Sequence, residues 1–302
     1  MARLQPVKVI INAYSEFEEK EEIRRQLAEI FAESEVACDI SLARHGAEVA
    51  DLARAAARAD WKVIVAGGGD GTMNTVASAV VDSDKFLGVL PLGTLNHFAK
   101  DLGIPNDLDS AARAIVAGHT MNVDVGEVNG RIFLNNSSLG LYPTIVRERQ
   151  KHQKLGSGKW PAFLWAALAA LRRYPFLDLS LSVDGKEFHR RTPFVFVGNN
   201  EYEMESFNIG SRARLDRGHL SLYMTHQTGR WGLVRLAVRA LLGRLREDKD
   251  FLALSTNEVK IETRRHRLRV AFDGEVDIMQ TPFHYRVRPR ALRVIVPARE
   301  DN

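Results

Sequence analysis

The chain has 302 residues, 45% hydrophobic and 26% charged, which suits two folded domains and excludes a disordered or low-complexity chain. A single cysteine, Cys38, excludes an internal disulfide framework and, with nine scattered histidines, argues against a zinc–cysteine site. Lys and Arg number 42 against 38 Asp and Glu, and no apolar run reaches the ~18–20 residues that span a bilayer.

In chain order, the first half alternates strand and helix patterns. Val7–Asn12 reads as an apolar strand. Residues 18–34 have helical spacing, with Ile23, Leu27, Ile30 and Phe31 on one side. Residues 36–42 form a second strand and 46–59 an Ala-rich helix. Lys62 to Ala66 is a buried strand stopped by Gly67-Gly68-Gly69. Residues 74–81 are helical, 86–90 form a strand stopped by Pro91, and 95–102 and 108–117 are helices. This rhythm predicts a parallel sheet covered by helices, with ligands at the strand C-termini.

After Gly118 the texture changes to short β runs: 123–128, 131–135, 179–183, 192–197, 220–225, 258–262, 268–272 and 292–296. Asn129-Gly130, Asp184-Gly185 and Asp273-Gly274 are hairpin-turn dipeptides. An antiparallel sheet or sandwich is expected, with helical inserts at 160–174 and 231–246. The expected fold is therefore α/β plus β in two domains. Residues 1–126 form an α/β nucleotide-binding domain, and 127–302 a β-sandwich substrate domain whose C-terminal tail is able to return to the first.

Charge follows the same division. Residues 1–126 have net charge −7 and residues 127–302 have +11. The basic half suits anionic lipid, a phosphorylated substrate or a solvated surface. No recognition-helix or stacking-platform pattern supports nucleic-acid binding. The N-terminal residues lack an apolar signal core, and the cysteine count suits a reduced, cytoplasmic setting, with peripheral contact at the inner membrane face. Arginines interleave with Trp231, Leu233, Leu236 and Leu241, a pattern that suits an interfacial helix or one packed on the sheet. Oligomeric state is not legible.

The most informative stretch is Val63 to Asn74, in which a buried strand breaks into glycines and then starts a helix. Gly67, Gly68, Gly69 and Gly71 let backbone approach phosphate oxygens, and the helix start supplies N–H donors; Thr72 reads as N-cap or phosphate ligand. The loop is not a Walker A motif, because no Lys follows the last glycine. It is not a dinucleotide fingerprint either, because Thr72 stands at the third glycine position. Asp70 repels phosphate unless a metal intervenes, so it is read as a Mg²⁺ ligand or a base. A second loop, Leu90 to Lys100, offers Gly93, Thr94 and Asn96 at the same sheet edge.

These residues carry a resemblance. GGGDGT at 67–72, LPLGTLNHFAKDLGIP at 90–105 and FDGE at 272–275 resemble the diacylglycerol kinase catalytic family, which includes bacterial lipid kinases, sphingosine kinases and ceramide kinases. The resemblance implies an active site in a cleft between an α/β domain and a β-sandwich. It implies ATP and Mg²⁺, and transfer of a phosphoryl group to a lipid hydroxyl, diacylglycerol-like lipids being the leading acceptors. Asn12, Gly67 to Asn74 and Thr94 match its nucleotide site. Glu275 matches the residue assigned as catalytic base, with Asp273 beside it, and Asn135 matches an asparagine that opens the second domain. Alone, Asp273-Gly274 reads as a plain hairpin turn; with the two upstream loops, catalysis is the better reading.

The sequence departs from the family in three places. The usual Asn-Pro reads Asn12-Ala13, and the usual threonine near position 42 reads Leu42. Where many bacterial members have Asp-Asp-Gly, whose second Asp holds a structural Mg²⁺, this chain has Asp216-Arg217-Gly218. Arg217 is expected to disfavour the metal and stand in for its charge. The departures keep two alternatives open: a non-catalytic nucleotide- or lipid-binding regulator, and a kinase for a non-lipid acceptor such as NAD.

Overall fold

The structure is a computed structural model and describes residues 6–13, 17–140, 176–183, 185–203, 211–225 and 251–298. The helical inserts expected at 160–174 and 231–246 lie outside the described residues. The chain divides into two compact units, residues 1–125 with 289–302, and residues 126–288.

The first unit contains β1 (Val7–Asn12), α1 (Phe17–Glu33), β2 (Cys38–Ala43), α2 (Gly46–Arg58), β3 (Val63–Gly68), α3 (Asp70–Val80), β4 (Phe86–Pro91), α4 (His97–Asp101) and α5 (Leu108–Ala117). Its strands lie side by side in the order β2-β1-β3-β4, all parallel. β1 and β3 are almost wholly apolar and buried, as strands covered on both faces must be. Lys8 and the terminal Asn12 are the polar exceptions; the Lys8 ammonium meets the Asp39 carboxylate and the Ser41 hydroxyl of β2. The helices start on local caps. His45 Nδ1 accepts from the Glu48 N–H (3.1 Å) ahead of α2, and Asp107 Oδ1 accepts from Ser110 N–H (2.8 Å) ahead of α5.

The second unit is antiparallel. Two strands, β5 (His119–Val128) and the 14-residue β16 (Phe283–Val296), run from one unit into the other. Between them in the chain come β6 (Arg131–Phe133), β7 (Asn136–Gly140), β8 (Leu177–Val183), β9 (Lys186–Thr192), β10 (Phe194–Asn199), β11 (Leu220–Thr225), β12 (Phe251–Thr256), β13 (Glu258–Thr263), β14 (Arg267–Phe272) and β15 (Glu275–Gln280). One sheet runs β16-β13-β8-β9, with β5 and β6 alongside; the other runs β12-β11-β10-β7-β14-β15. Both sheets contribute to one core, in which Leu179, Ile261, Tyr285 and Phe133 meet Leu139, Val197, Leu222 and Val270. Tyr285 is fully buried with its hydroxyl 3.1 Å from Ser137 Oγ, and burial raises its pKa.

Six elements differ from the sequence expectation. Helix α3 starts at Asp70 rather than Asn74, because Gly69, not Thr72, takes the cap position in extended backbone. Helix α4 covers His97–Asp101 only, because Asn96 sits at φ 50°, in the left-handed region. Strands β7, β9, β12 and β15 escaped the sequence reading. β9 (KEFHRRT) and β15 (EVDIMQ) are edge strands rich in charge, so hydrophobic runs do not mark them.

Phe133 has no exposed surface and stacks edge-on against Tyr285, with ring centroids 6.2 Å apart. Truncation to Ala should cost about 3–5 kcal/mol in urea unfolding. Ile278, 60% exposed on the edge strand β15, should tolerate the same change within about 0.5 kcal/mol.

Candidate active site

In the first unit, the predicted loops come together where the strands end. β1 ends on Asn12, β3 on Gly68 and β4 on Pro91, in register with one another. Asn12 Nδ2 donates to Thr72 Oγ1 (3.2 Å), so the end of β1 is tied to the first turn of α3. No side chain caps α3; its start is left to backbone donors beyond Gly69. Two of the glycines are required by space. A Cβ on Gly68 would lie 2.5 Å from Thr72 Oγ1, and one on Gly93 would overlap the Gly69 backbone. The two loops therefore touch glycine against glycine, with no room for a methyl group on Gly93.

Asp70 ties the same loops together. Its carboxylate accepts the backbone N–H groups of His97 (3.2 Å) and Phe98 (3.1 Å), capping α4 from another element. The sequence reading assigned Asp70 to metal or base chemistry and missed this structural duty. Asn96 is 5% exposed and spends its amide on the loop: it donates to Pro91 O (3.0 Å) and Gly93 O (2.8 Å) and accepts from Gly93 N–H (3.2 Å). Asn96 shapes the loop, whereas Thr94 is exposed beside it. Asn74 lies one turn into α3, partly exposed, with its Oδ1 3.4 Å from Ser78 Oγ. Ala13, where the resemblance implies proline, donates its N–H to Ala43 O (2.8 Å), a bond proline lacks.

In the second unit, Asp273 and Gly274 form a two-residue hairpin loop between β14 and β15, with φ 45° and 88° and Phe272 paired to Glu275. Asp273 is 8% exposed. Its Oδ1 accepts from the N–H groups of Asn135 (2.8 Å) and Asn136 (3.0 Å), and its Oδ2 from that of Leu134 (2.8 Å). Those bonds fasten the turn to the segment leading into β7. Glu275 follows, accessible to solvent at the start of β15. Desolvation by the surrounding protein raises its pKa. The Arg131 guanidinium opposes that shift, and the charge of Asp273 adds to it. Arg131 itself pairs with Asp277 and lies over the Phe272 ring, 4.9 Å from its centroid.

Sequence reasoning missed the buried polar knot behind this turn. Arg212 is 3% exposed and donates to Leu134 O (2.7 Å), Asn199 O (3.0 Å) and Asn135 Oδ1 (2.7 Å). Asn199 ends the apolar strand β10 and Asn200 follows it, both buried. Two asparagines directly after a buried strand were the signal available in the sequence. Among the described residues, no group of three or more His, Cys, Asp or Glu is placed to hold a metal ion. No described helix is long and apolar enough to cross a membrane.

Comparison with known proteins places this arrangement. Residues 6–128 match the diacylglycerol kinase catalytic domain, and residues 142–296 match the YegS C-terminal NAD kinase beta sandwich-like domain. Diacylglycerol kinases of Staphylococcus aureus, from strains bovine RF122 / ET3-1 and MRSA252, are each 29% identical over 214 residues, covering 69% of this chain and 68% of theirs. Among solved structures, a candidate diacylglycerol kinase from Bacillus anthracis str. Sterne matches with TM-score 0.77 at 22% identity over 98% of both chains. A further diacylglycerol kinase structure from that organism matches with TM-score 0.72 at 19% identity, again over 98% of both. The two matched domains lie in the order and extent of the two halves of the fold, and this chain belongs to the diacylglycerol kinase catalytic family with the YegS-type C-terminal domain.

Proposed function

We propose that the protein transfers the γ-phosphoryl group of Mg²⁺-bound ATP to the hydroxyl of a diacylglycerol-like lipid. The observation that carries this reading is the glycine-on-glycine loop pair at the strand ends of the first unit. It combines an uncapped helix start, Thr72 held by Asn12, and an exposed Thr94. Phosphoryl transfer needs positioning and charge neutralisation more than covalent chemistry by the protein. Backbone donors at Gly69 to Thr72 and the hydroxyl of Thr94 would hold the phosphates, and Mg²⁺ would arrive with the nucleotide. Asp70 fixes the distance between the two loops through the α4 amides.

The second unit would supply the proton acceptor. The Asp273 oxygens are engaged by three backbone amides, so its part is to position the turn. Glu275 is the general base: solvent-accessible, with a pKa raised toward the working range. The deprotonated form is the active one. Because desolvation raises the pKa, the acid limb of the kcat profile should lie above the ordinary glutamate value of 4.5.

Transfer of labelled γ-phosphate into a total lipid extract tests the reading. A labelled lipid is expected with the wild type. Glu275→Gln should lower kcat by about 10²–10⁴-fold with little change in the KM for ATP. A protein that binds ATP and labels no lipid would instead be a regulator or would use a non-lipid acceptor.

Two substitutions in the first unit should act through the nucleotide. Gly93→Ala pushes the two loops apart and should raise the KM for ATP while leaving the acid limb unmoved. Asp70→Ala removes the α4 cap and should cost about 0.5–2 kcal/mol of stability in denaturant unfolding, along with nucleotide affinity.

A further inference from the structure

Arg212 lies among oxygens that would also suit a metal ion. Its guanidinium donates to two main-chain carbonyls, Leu134 O and Asn199 O, and to the side-chain carbonyl of Asn135. Hard divalent cations choose donor sets of this kind. A guanidinium has five N–H donors in a fixed plane, so it can tie several oxygens from different strands at once. Here it ties the segment entering β7 to the end of β10. Its planar face lies against the Tyr202 ring, 5.5 Å from the centroid.

The neighbouring loop does not fit a structural divalent ion. Both oxygens of Asp216 are engaged by the fork of Arg214, at 3.0 and 2.9 Å. Arg217 stands where family members place a second carboxylate ligand, and its backbone N–H is given to Asn200 Oδ1 (3.0 Å). Three arginines thus occupy seven residues, 211–217, in which a metal-binding loop would need acidic oxygens. The sequence reading gave the stand-in charge to Arg217. Arg212 is the guanidinium whose hydrogen bonds hold these oxygens.

The same guanidinium reaches the catalytic turn in two steps. It holds Leu134 and Asn135, whose N–H groups, with that of Asn136, hold the Asp273 carboxylate. Asp273 N–H returns a bond to Asn136 O (3.0 Å). Glu275 begins the strand on the far side of that turn.

We propose that Arg212 is a built-in cation that replaces a structural divalent ion in the second unit, and that it is a positioning residue for Glu275. The positioning half rests on the phosphotransfer reading; the metal half does not.

Two measurements test it. First, nucleotide-free protein is titrated with Mn²⁺ and followed by electron paramagnetic resonance, and melted in EDTA and in Mg²⁺. Equal melting temperatures are expected, with no saturable Mn²⁺ site that depends on Asp216. A saturable site lost in Asp216→Asn would overturn the metal half. Second, Arg212→Lys keeps the charge and removes the fork. It should lower kcat by about 100-fold at unchanged KM for ATP, as a small misplacement of a catalytic group does. The acid limb should move to lower pH as Glu275 gains solvent. Wild-type kcat with an unmoved acid limb would overturn the positioning half. If Arg212→Lys does not fold, Asn135→Ala, which removes one acceptor of the guanidinium, is read on the same two quantities with the same expected signs. A wild type that phosphorylates no lipid would defeat the function reading, while the Mn²⁺ titration would still decide the metal half.

Discussion

A parallel strand buried on both faces can offer polar groups only at its ends, and that constraint governs where the first unit can present them. Val9, Ile10, Val65 and Ala66 have no exposed surface, so nothing along β1 or β3 can contact a ligand. The chain must turn sharply at the end of β3 to enter α3, and backbone N–H groups are left over at that turn. Glycine is demanded there by contact: a Cβ on Gly68 would meet the Thr72 side chain at the start of α3, and one on Gly93 would meet the Gly69 backbone of the neighbouring loop. The proposed phosphate site rests on this packing, since the space that excludes a side chain leaves backbone donors bare.

Each unit fastens its critical turn with an aspartate used in the same way. Asp70 accepts two amides at the start of α4, and Asp273 accepts three ahead of β7. A carboxylate engaged by several N–H groups gains charge-assisted hydrogen bonds that a neutral side chain would make more weakly. In both places the bonds join segments distant in sequence, 27 and 28 residues apart in one case and 137 to 139 in the other. The glycine and aspartate of each motif thus have separate duties. The glycine admits the close approach or the positive φ, and the aspartate locks the result.

Much of this was legible in the sequence because it is local. The strand–glycine–helix break at Val63 to Asn74 and the hairpin dipeptides Asn129-Gly130 and Asp273-Gly274 carry their conformations in a few adjacent residues. What was illegible is long-range. Nothing near Asp70 announces that its partners are His97 and Phe98, and nothing near Arg212 announces Leu134 and Asn135. Edge strands β9 and β15 were hidden for a different reason. With one side unpaired they need little apolar content, and their charge keeps the edge from pairing with other chains. The left-handed Asn96 shortened α4 through a backbone conformation that helical periodicity cannot report.

That reasoning also changes what the basic excess of the second half means. A net +11 over residues 127–302 invites the reading of a surface that binds anions. Yet several of these cations already have structural work. Arg212 is enclosed, Arg131 pairs with Asp277 over Phe272, and Arg190 and Arg191 lie against Phe188 and Phe176, where aromatic faces accept their guanidinium planes. On the outward side of the β16-β13 pair, His284 meets Glu258, and Arg286 and Arg288 meet the buried Glu127. These arginines already have partners within the second unit. Arg264, Arg265, Arg267 and Arg269 remain exposed around the β13–β14 turn. That turn is at the opposite end of β14 from Asp273, so charge displayed there is directed away from the turn that carries Glu275.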